Sequence, residues 1–290
     1  MDGSKIQFAL FGGDARQTCL LRILRDAGYK VASFGVPMEE DEGDWKSLAE
    51  RADCLLLPLP LTRDGVHLFS SDEKKEPIRL DLLAKSAGKI VFGGRIPDPF
   101  REMAESGGAC VFDYFDSEYL QILNALPTAE GALYTAMREL PVTIAGTSVA
   151  VVGYGRIGRL LVDRLVALGA RVTVYERKIE KQAYIEAAHA TPKPIFDDAG
   201  NNLLSRLPED CRAVFTTVPE PIFDREVLAG VPQDCVLIDL ASPPGGIDSV
   251  AASELGVKTI WATALPGKYA PESAASYLAK TVFATLESLV

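Results

Sequence analysis

Along the chain one rhythm repeats: a short, nearly unbroken apolar run, a turn, then a stretch whose apolar positions fall three and four apart. Such runs bounded by turn residues predict buried strands, and the spaced stretches predict amphipathic helices. In the first part, strands are predicted at residues 6–11, 31–34, 54–57, 90–92 and 110–112. Helices are predicted near 15–27, 44–51, 80–87 and 99–106. The polar stretch 61–77 reads as a long loop. Residues 117–140 read as a long helical crossing, which Pro127 is expected to break in two, with Thr128 near the second N-terminus. In the second part, strands are predicted at 149–152, 171–175, 213–218, 236–240 and 258–261. Helices are predicted near 156–168, 180–188, 201–207 and 224–229, and a last one over 271–289 opens on Pro271.

Strand–helix alternation of this kind predicts an α/β fold with helices on both faces of parallel sheets. The expectation is two doubly wound parallel-sheet domains, flavodoxin-like then Rossmann-like, with an interdomain cleft. Residues 1–125 would form the first and 126–270 the second, with 271–290 packing back on the first. A length of 290 residues suits two domains better than one.

Composition narrows the partners. Net charge is −10 and no basic run exists to follow a phosphate backbone, so nucleic-acid binding is not expected. No apolar run reaches the ~18 residues needed to span a membrane. The first residues lack the basic start and apolar core of a signal peptide, so a cytoplasmic protein is expected. Five cysteines, none in a CxxC pair, are expected as free thiols. The two histidines, His67 and His189, pair with no cysteine in a metal or catalytic spacing, and no metal site is expected.

Residues 148–158 read strand, tight turn, helix, with Gly153, Gly155 and Gly158 in the spacing of a dinucleotide-binding turn. Gly153 suits the tight turn, Gly155 lets the backbone approach a pyrophosphate, and Gly158 lets helix and strand pack closely. Tyr154, Arg156 and Ile157 complete the turn at the helix N-terminus, where free N–H groups meet phosphate. The second strand ends at Glu176-Arg177-Lys178. Glu176 lies at the offset of an acid that bonds ribose hydroxyls and favours NAD. Arg177 and Lys178 suit a 2′-phosphate and favour NADP. Val218 and Pro219, at the end of a later strand, would flank the nicotinamide.

Ligands in open α/β sheets gather beyond the carboxyl ends of strands. After the first strand come Gly12-Gly13-Asp14-Ala15-Arg16-Gln17, with Asp14 as a helix N-cap. Arg16 opposes the helix dipole there and is a candidate to grip a carboxylate, with Gln17 beside it. Arg95 follows two glycines after the fourth strand. Ser242 follows Asp239, and Lys268 precedes the last helix, where it would bind a carboxylate or act as an acid. Arg16, Gln17, Arg95 and Ser242 are thus the candidate substrate-binding residues. Lys268 is a candidate catalytic residue, and so is Glu130, for proton transfer.

The two-domain layout resembles that of D-2-hydroxyacid dehydrogenases and S-adenosylhomocysteine hydrolase. Those dehydrogenases carry an Arg after the strand equivalent to 236–240 and a later His. Here residues 239–242 contain no Arg and no His follows His189, which disfavours His-driven hydroxyacid oxidation.

The pieces at 12–17, 127–132 (Pro-Thr-Ala-Glu-Gly-Ala), 153–158, 239–242 with Gly245-Gly246, and 264–268 (Ala-Leu-Pro-Gly-Lys) run in order through nearly the whole chain. Together they resemble the A-subunit family of dipicolinate synthase. The resemblance implies NAD(P)-dependent oxidation of a dihydro- or hydroxytetrahydrodipicolinate to dipicolinate during sporulation, in the mother-cell cytoplasm. NADP is slightly preferred by the resemblance, although Glu176 departs from the neutral residue an NADP site would carry. The expected partners are the flavoprotein-like B-subunit of dipicolinate synthase, the small dicarboxylate substrate, and further copies of the chain. Rival readings are an orphan two-domain oxidoreductase of the same fold and a non-catalytic regulatory protein that binds NAD(P).

Overall fold

A computed structural model of the chain describes residues 6–75, 77–85 and 90–289. The ends of the helix expected at 80–87 and of the loop at 61–77 thus touch residues outside that set. The chain divides into two compact units, Met1–Asn124 with Pro266–Val290, and Ala125–Leu265.

The first unit runs β1 (Gln7–Phe11), α1 (Ala15–Asp26), β2 (Lys30–Phe34), α2 (Trp45–Arg51), β3 (Cys54–Leu56), α3 (Leu80–Lys85), β4 (Ile90–Gly93), α4 (Asp98–Ser106) and β5 (Cys110–Asp113). Its strands pair in parallel in the order β2-β1-β3-β4-β5, the flavodoxin-like arrangement. β1 is buried on both faces. Ala9 and Phe11 join one core, Phe8 and Leu10 the other, which is why the run is continuously apolar instead of alternating. The topological switch lies between β1 and β3.

Helix α5 (Glu118–Glu139) runs unbroken through Pro127, so the expected break into two helices is corrected. Proline removes the hydrogen bond to the Leu123 carbonyl and costs about 3 kcal/mol in a helix interior. Burial offsets that cost: Leu133, whose side chain contributes roughly 1.5–3 kcal/mol, enters the core of the second unit with the smaller Ala129, Ala132 and Ala136.

The second unit continues with β6 (Ser148–Val152), α6 (Arg156–Ala167), β7 (Arg171–Tyr175), α7 (Gln182–Ala187), β8 (Thr191–Lys193), β9 (Cys211–Thr216), α8 (Arg225–Ala229), β10 (Val236–Asp239), α9 (Ser249–Leu255) and β11 (Lys258–Trp261). Its sheet has the order β11-β10-β9-β6-β7-β8, all parallel and doubly wound. β8 is an edge strand that the sequence pattern does not announce. It is polar and holds Pro192, which an edge tolerates.

A register shift between Ser148 and Val149 places Cys211 in the same core as Cys235. The five cysteines are free thiols, and Cys110 is exposed.

The chain then forms α10 (Leu265–Tyr269) and α11 (Pro271–Ser288). In α11, Ala275, Leu278, Ala279, Val282 and Leu286 pack into the core that holds Leu20, Leu21 and Leu24 of α1. No helix among the described residues is long and apolar enough to cross a membrane.

Candidate active site

In the second unit, Gly153 ends β6 with φ +93°, and a Cβ there would meet the Thr217 hydroxyl. A Cβ on Gly158 would run into the Gly153 carbonyl, so strand and helix pack backbone to backbone at this point. Gly155 differs from both. It caps α6 without a side-chain hydrogen bond, and no atom lies within 4 Å of where its Cβ would sit. The cap thus brings no side-chain oxygen of its own to this helix end, where the dipole is positive. That cradle fits a dinucleotide pyrophosphate. Arg156 is exposed at the first helical position and Ile157 is half-buried behind it. Val218 lies against Gly153, with its Cγ2 3.1 Å from that glycine's virtual Cβ, and Pro219 follows it at the end of β9.

Glu176 is turned inward. Its Oε2 accepts the Tyr154 N–H at 2.8 Å and an ammonium hydrogen of Lys181 at 3.0 Å, and its Oε1 accepts the Lys178 N–H at 3.1 Å. Burial pushes this carboxyl up, but the two N–H groups and the Lys181 ammonium outweigh burial and hold it below its ordinary value. Of the carboxylate's roughly four acceptor positions, three are taken. Arg177 pairs at 3.2 Å with Glu220, both well exposed. Lys181 was not a sequence candidate. It stands five residues beyond Glu176, and only the turn after β7 brings it back.

Asp239 ends β10 buried. Its carboxylate accepts the Ala241 N–H at 2.9 Å and the Gly246 N–H at 2.7 Å, organising the loop that carries Ser242. Burial nevertheless lifts its carboxyl above the ordinary range. The Ser242 carbonyl accepts the Gly245 N–H, and Trp261 donates its indole N–H to Ala241. Glu130 sits on α5, 60% exposed, paired at 3.1 Å with Arg164 of α6. The structure ties it to a surface ion pair, an interaction worth about 0–1 kcal/mol.

In the first unit, the turn after β1 is filled by its own side chains. Asp14 caps α1 by accepting the Arg16 N–H at 3.1 Å. Its two carboxylate oxygens also take Nε and Nη2 of Arg16 at 2.9 and 2.8 Å. Nη2 of Arg16 donates to the Leu59 carbonyl as well, and the side chain is only 7% exposed. The fork expected to grip a ligand thus already grips Asp14, which is how a cation survives in the first turn of α1. Gln17 is 2% exposed and donates its amide to the carbonyls of Leu56 and Phe11. It clamps the carboxyl ends of β1 and β3 together at the switch.

Arg95 has φ +54°. Its N–H and that of Ile96 bond the Asp113 carboxylate, and its guanidinium lies 5.1 Å over the Phe115 ring. Gly94 lies against Leu59, where no Cβ would fit, so the loops after β3 and β4 meet. Gly267 packs on Asp14: a Cβ there would lie 2.9 Å from the carboxylate carbon. Lys268, the next residue, is exposed. The structure therefore brings residues 12–17, the Leu59 turn and Gly267–Lys268 together, although about 250 residues separate the first from the last. A cavity of about 190 Å3 opens beside Gly12, bounded by Phe34, Gly35, Leu68, Ser70 and Lys75.

Of the segment 61–77, expected as a long loop, the part from Leu61 to Ser71 is pinned to this turn and the loop after β4. The Gly13 N–H donates to the Phe69 carbonyl at 2.7 Å, Ser71 donates back to Gly13, and Leu61 donates to Gly94.

Residues 7–115 match the N-terminal domain of the dipicolinate synthase A-subunit, and residues 127–242 match the NAD-binding domain of the D-isomer specific 2-hydroxyacid dehydrogenases. The dipicolinate synthase A-subunit of Bacillus subtilis (strain 168) is 28% identical over 289 residues, covering 96% of this chain and 94% of that one. The crystal structure of the dipicolinate synthase A-subunit from Bacillus halodurans superposes with a TM-score of 0.82 at 28% identity, covering 97% of each chain. The corresponding Bacillus subtilis crystal structure superposes at 0.79 and 25%, covering 98% of this chain and 96% of that one. End-to-end likeness in sequence and fold, together with the matched N-terminal domain, places this chain in the A-subunit family of dipicolinate synthase.

Proposed function

We propose that this chain oxidises a dihydro- or hydroxytetrahydrodipicolinate to dipicolinate, working with a dipicolinate synthase B-subunit in the cytoplasm of a sporulating mother cell. The observation that carries the reading is the meeting of residues 12–17 with Gly267–Lys268 at the carboxyl edge of the first sheet. These are the two pieces most particular to the family, and they converge where an open α/β sheet takes its ligand.

The substrate carries two carboxylates. Arg95 and Lys268 supply cations at exposed positions, and Arg16, committed to Asp14 in this state, would reach a carboxylate only by sharing that pair. Gln17 positions this group by holding the ends of β1 and β3. Ser242 is assigned to the substrate or to the cofactor's carboxamide. Lys268 is the assigned proton donor or acceptor, with Glu130 a weaker choice because of its ion pair.

Residues 153–158 would hold the pyrophosphate, Glu176 to Lys178 the ribose end, and Val218 and Pro219 the nicotinamide end. The nicotinamide, when bound, would supply the two-electron oxidation. The dihydro substrate loses two hydrogens overall, and the hydroxytetrahydro form must also lose water. Aromatisation favours the product, so the chain needs only to bind, orient and move a proton. The matched domain is an NAD-binding one. NADP would bring its 2′-phosphate beside the Glu176 carboxylate, with Lys181, Arg177 and Lys178 offsetting the repulsion.

The test is an absorbance assay for dipicolinate from the lysine-pathway precursor, with NAD or NADP, and with and without the B-subunit. Product formation that depends on this chain is expected. Cofactor binding without product in any arm would overturn the reading in favour of a non-catalytic nucleotide-binding protein.

A further inference from the structure

We propose that Arg63 is a further substrate-binding residue, a second guanidinium anchor for a carboxylate in the first unit; this rests on the function proposed above. Most arginines of that unit have acidic partners: Arg16 has Asp14, Arg22 and Arg25 have Glu39, Arg79 has Asp81, and Arg101 has Glu105. Arg63 pairs with no carboxylate among the described residues. Its guanidinium lies instead 4.0 Å from the centre of the Phe69 ring. In a chain of net charge −10, an arginine without an acid beside it is a local exception.

The acid next in sequence is diverted. Asp64 accepts from the Thr62 hydroxyl, from the N–H groups of Val66 and His67, and from Nδ1 of His67 at 2.7 Å. Those hydrogen bonds, led by the His67 N–H, hold the Asp64 carboxyl well below its ordinary value. The loop satisfies its own acid internally, so Asp64 forms no ion pair with the neighbouring guanidinium.

The platform under Arg63 is rigid. Phe69 is 6% exposed, its N–H donates to Leu61, and its carbonyl accepts the Gly13 N–H. Stacking fixes the plane of a guanidinium without using its in-plane donors, which stay available to a planar carboxylate. Through Phe69 that plane is attached to the turn bearing Asp14 and Arg16. One carboxylate of a dicarboxylate would meet Arg63, and the other the cations already assigned.

The experiment measures binding of pyridine-2,6-dicarboxylate to the full chain by calorimetry, for the wild type, Arg63→Met and Arg63→Lys, with NAD binding measured in parallel. Methionine keeps the apolar cover on Phe69 and removes the charge, and Arg63→Gln replaces it should that variant fail to fold. The expected result is a loss of about 10-fold or more in dicarboxylate affinity for Arg63→Met. Arg63→Lys should fall between, NAD affinity should be unchanged, and KM should rise more than kcat falls. Dicarboxylate affinity within twofold of wild type in Arg63→Met would overturn the assignment of Arg63 alone. A wild-type chain that binds no dicarboxylate and forms none with the B-subunit would overturn the proposed function, and this assignment with it.

Discussion

Two glycine turns of this molecule share one construction and put it to opposite uses. Each follows the first strand of a parallel sheet, opens a long helix and sits at a switch in strand order. After β6 the helix cap is Gly155, which brings no side chain of its own to the end of α6. After β1 the cap is Asp14, whose carboxylate occupies the same end of α1 and binds Arg16. A helix N-terminus attracts an anion. On the function proposed above, the second unit would take a ligand's phosphate there, whereas the first fills the place with an anion of its own and mounts a cation on it. The same backbone device thus ends in an open glycine cap in one unit and in a fixed arginine in the other.

If the first turn is built around that internal anion, Asp14→Ala should be the most costly single change in it. It strips the cap, worth about 0.5–2 kcal/mol, and leaves Arg16 buried without its acid, worth about 3–5 kcal/mol. A loss of several kcal/mol in urea unfolding is expected, and the double variant with Arg16→Ala should lose less than the sum of the two singles. Additive losses would mean that the pair is not the organising contact.

The second turn can be converted toward the first. Gly155 has φ −88°, which aspartate adopts without strain, and there is open space for its Cβ. Gly155→Asp should therefore leave stability unchanged or raise it by a few tenths of a kcal/mol, as a better cap. It should also weaken NAD binding by roughly 100-fold, because a carboxylate would stand where phosphate belongs. Retained affinity measured by fluorescence titration would show that the pyrophosphate does not lie on this helix end.

The contrast between the turns also marks what the sequence could and could not convey. Local patterns carry far: apolar runs locate ten of the eleven strands among the described residues, and the spacing of Gly153, Gly155 and Gly158 locates the open cap. Long-range partners were invisible. Arg16 stands out in the sequence because it opposes a dipole, but its bond to Leu59 depends on a loop 43 residues away, and Gln17 reaches a carbonyl 39 residues away. The i, i+2 spacing of Asp14 and Arg16 does not put two residues on one helix face. Only the extended backbone of the cap lets them meet. Pro127 misled for a related reason, since a local penalty was outweighed by burial that no local pattern records. The edge strand β8 leaves no mark in the pattern because it is short, polar and defined by its neighbour.

A smaller effect sharpens the comparison further. The second turn also has a carboxylate, but one delivered from the end of β7: Glu176 takes the Tyr154 N–H and leaves Gly155 open. Glu176→Gln keeps one acceptor and removes the charge, so a loss of about 1–2 kcal/mol is expected at neutral pH. Its pH signature separates charge from packing. The folded-state pKa of Glu176 lies below its ordinary 4.5, so the unfolded chain takes up the proton first as pH falls. The stabilisation is therefore complete above the unfolded value and is lost as pH drops through the folded one. Wild type and Glu176→Gln should accordingly converge in stability on the acid side, separate as pH rises through the folded pKa, and show the full gap above about 5. A constant gap from pH 3 to pH 7 would instead assign the loss to shape alone, and Glu176 would then stand as a spacer for Tyr154 and not as the anion of the second turn.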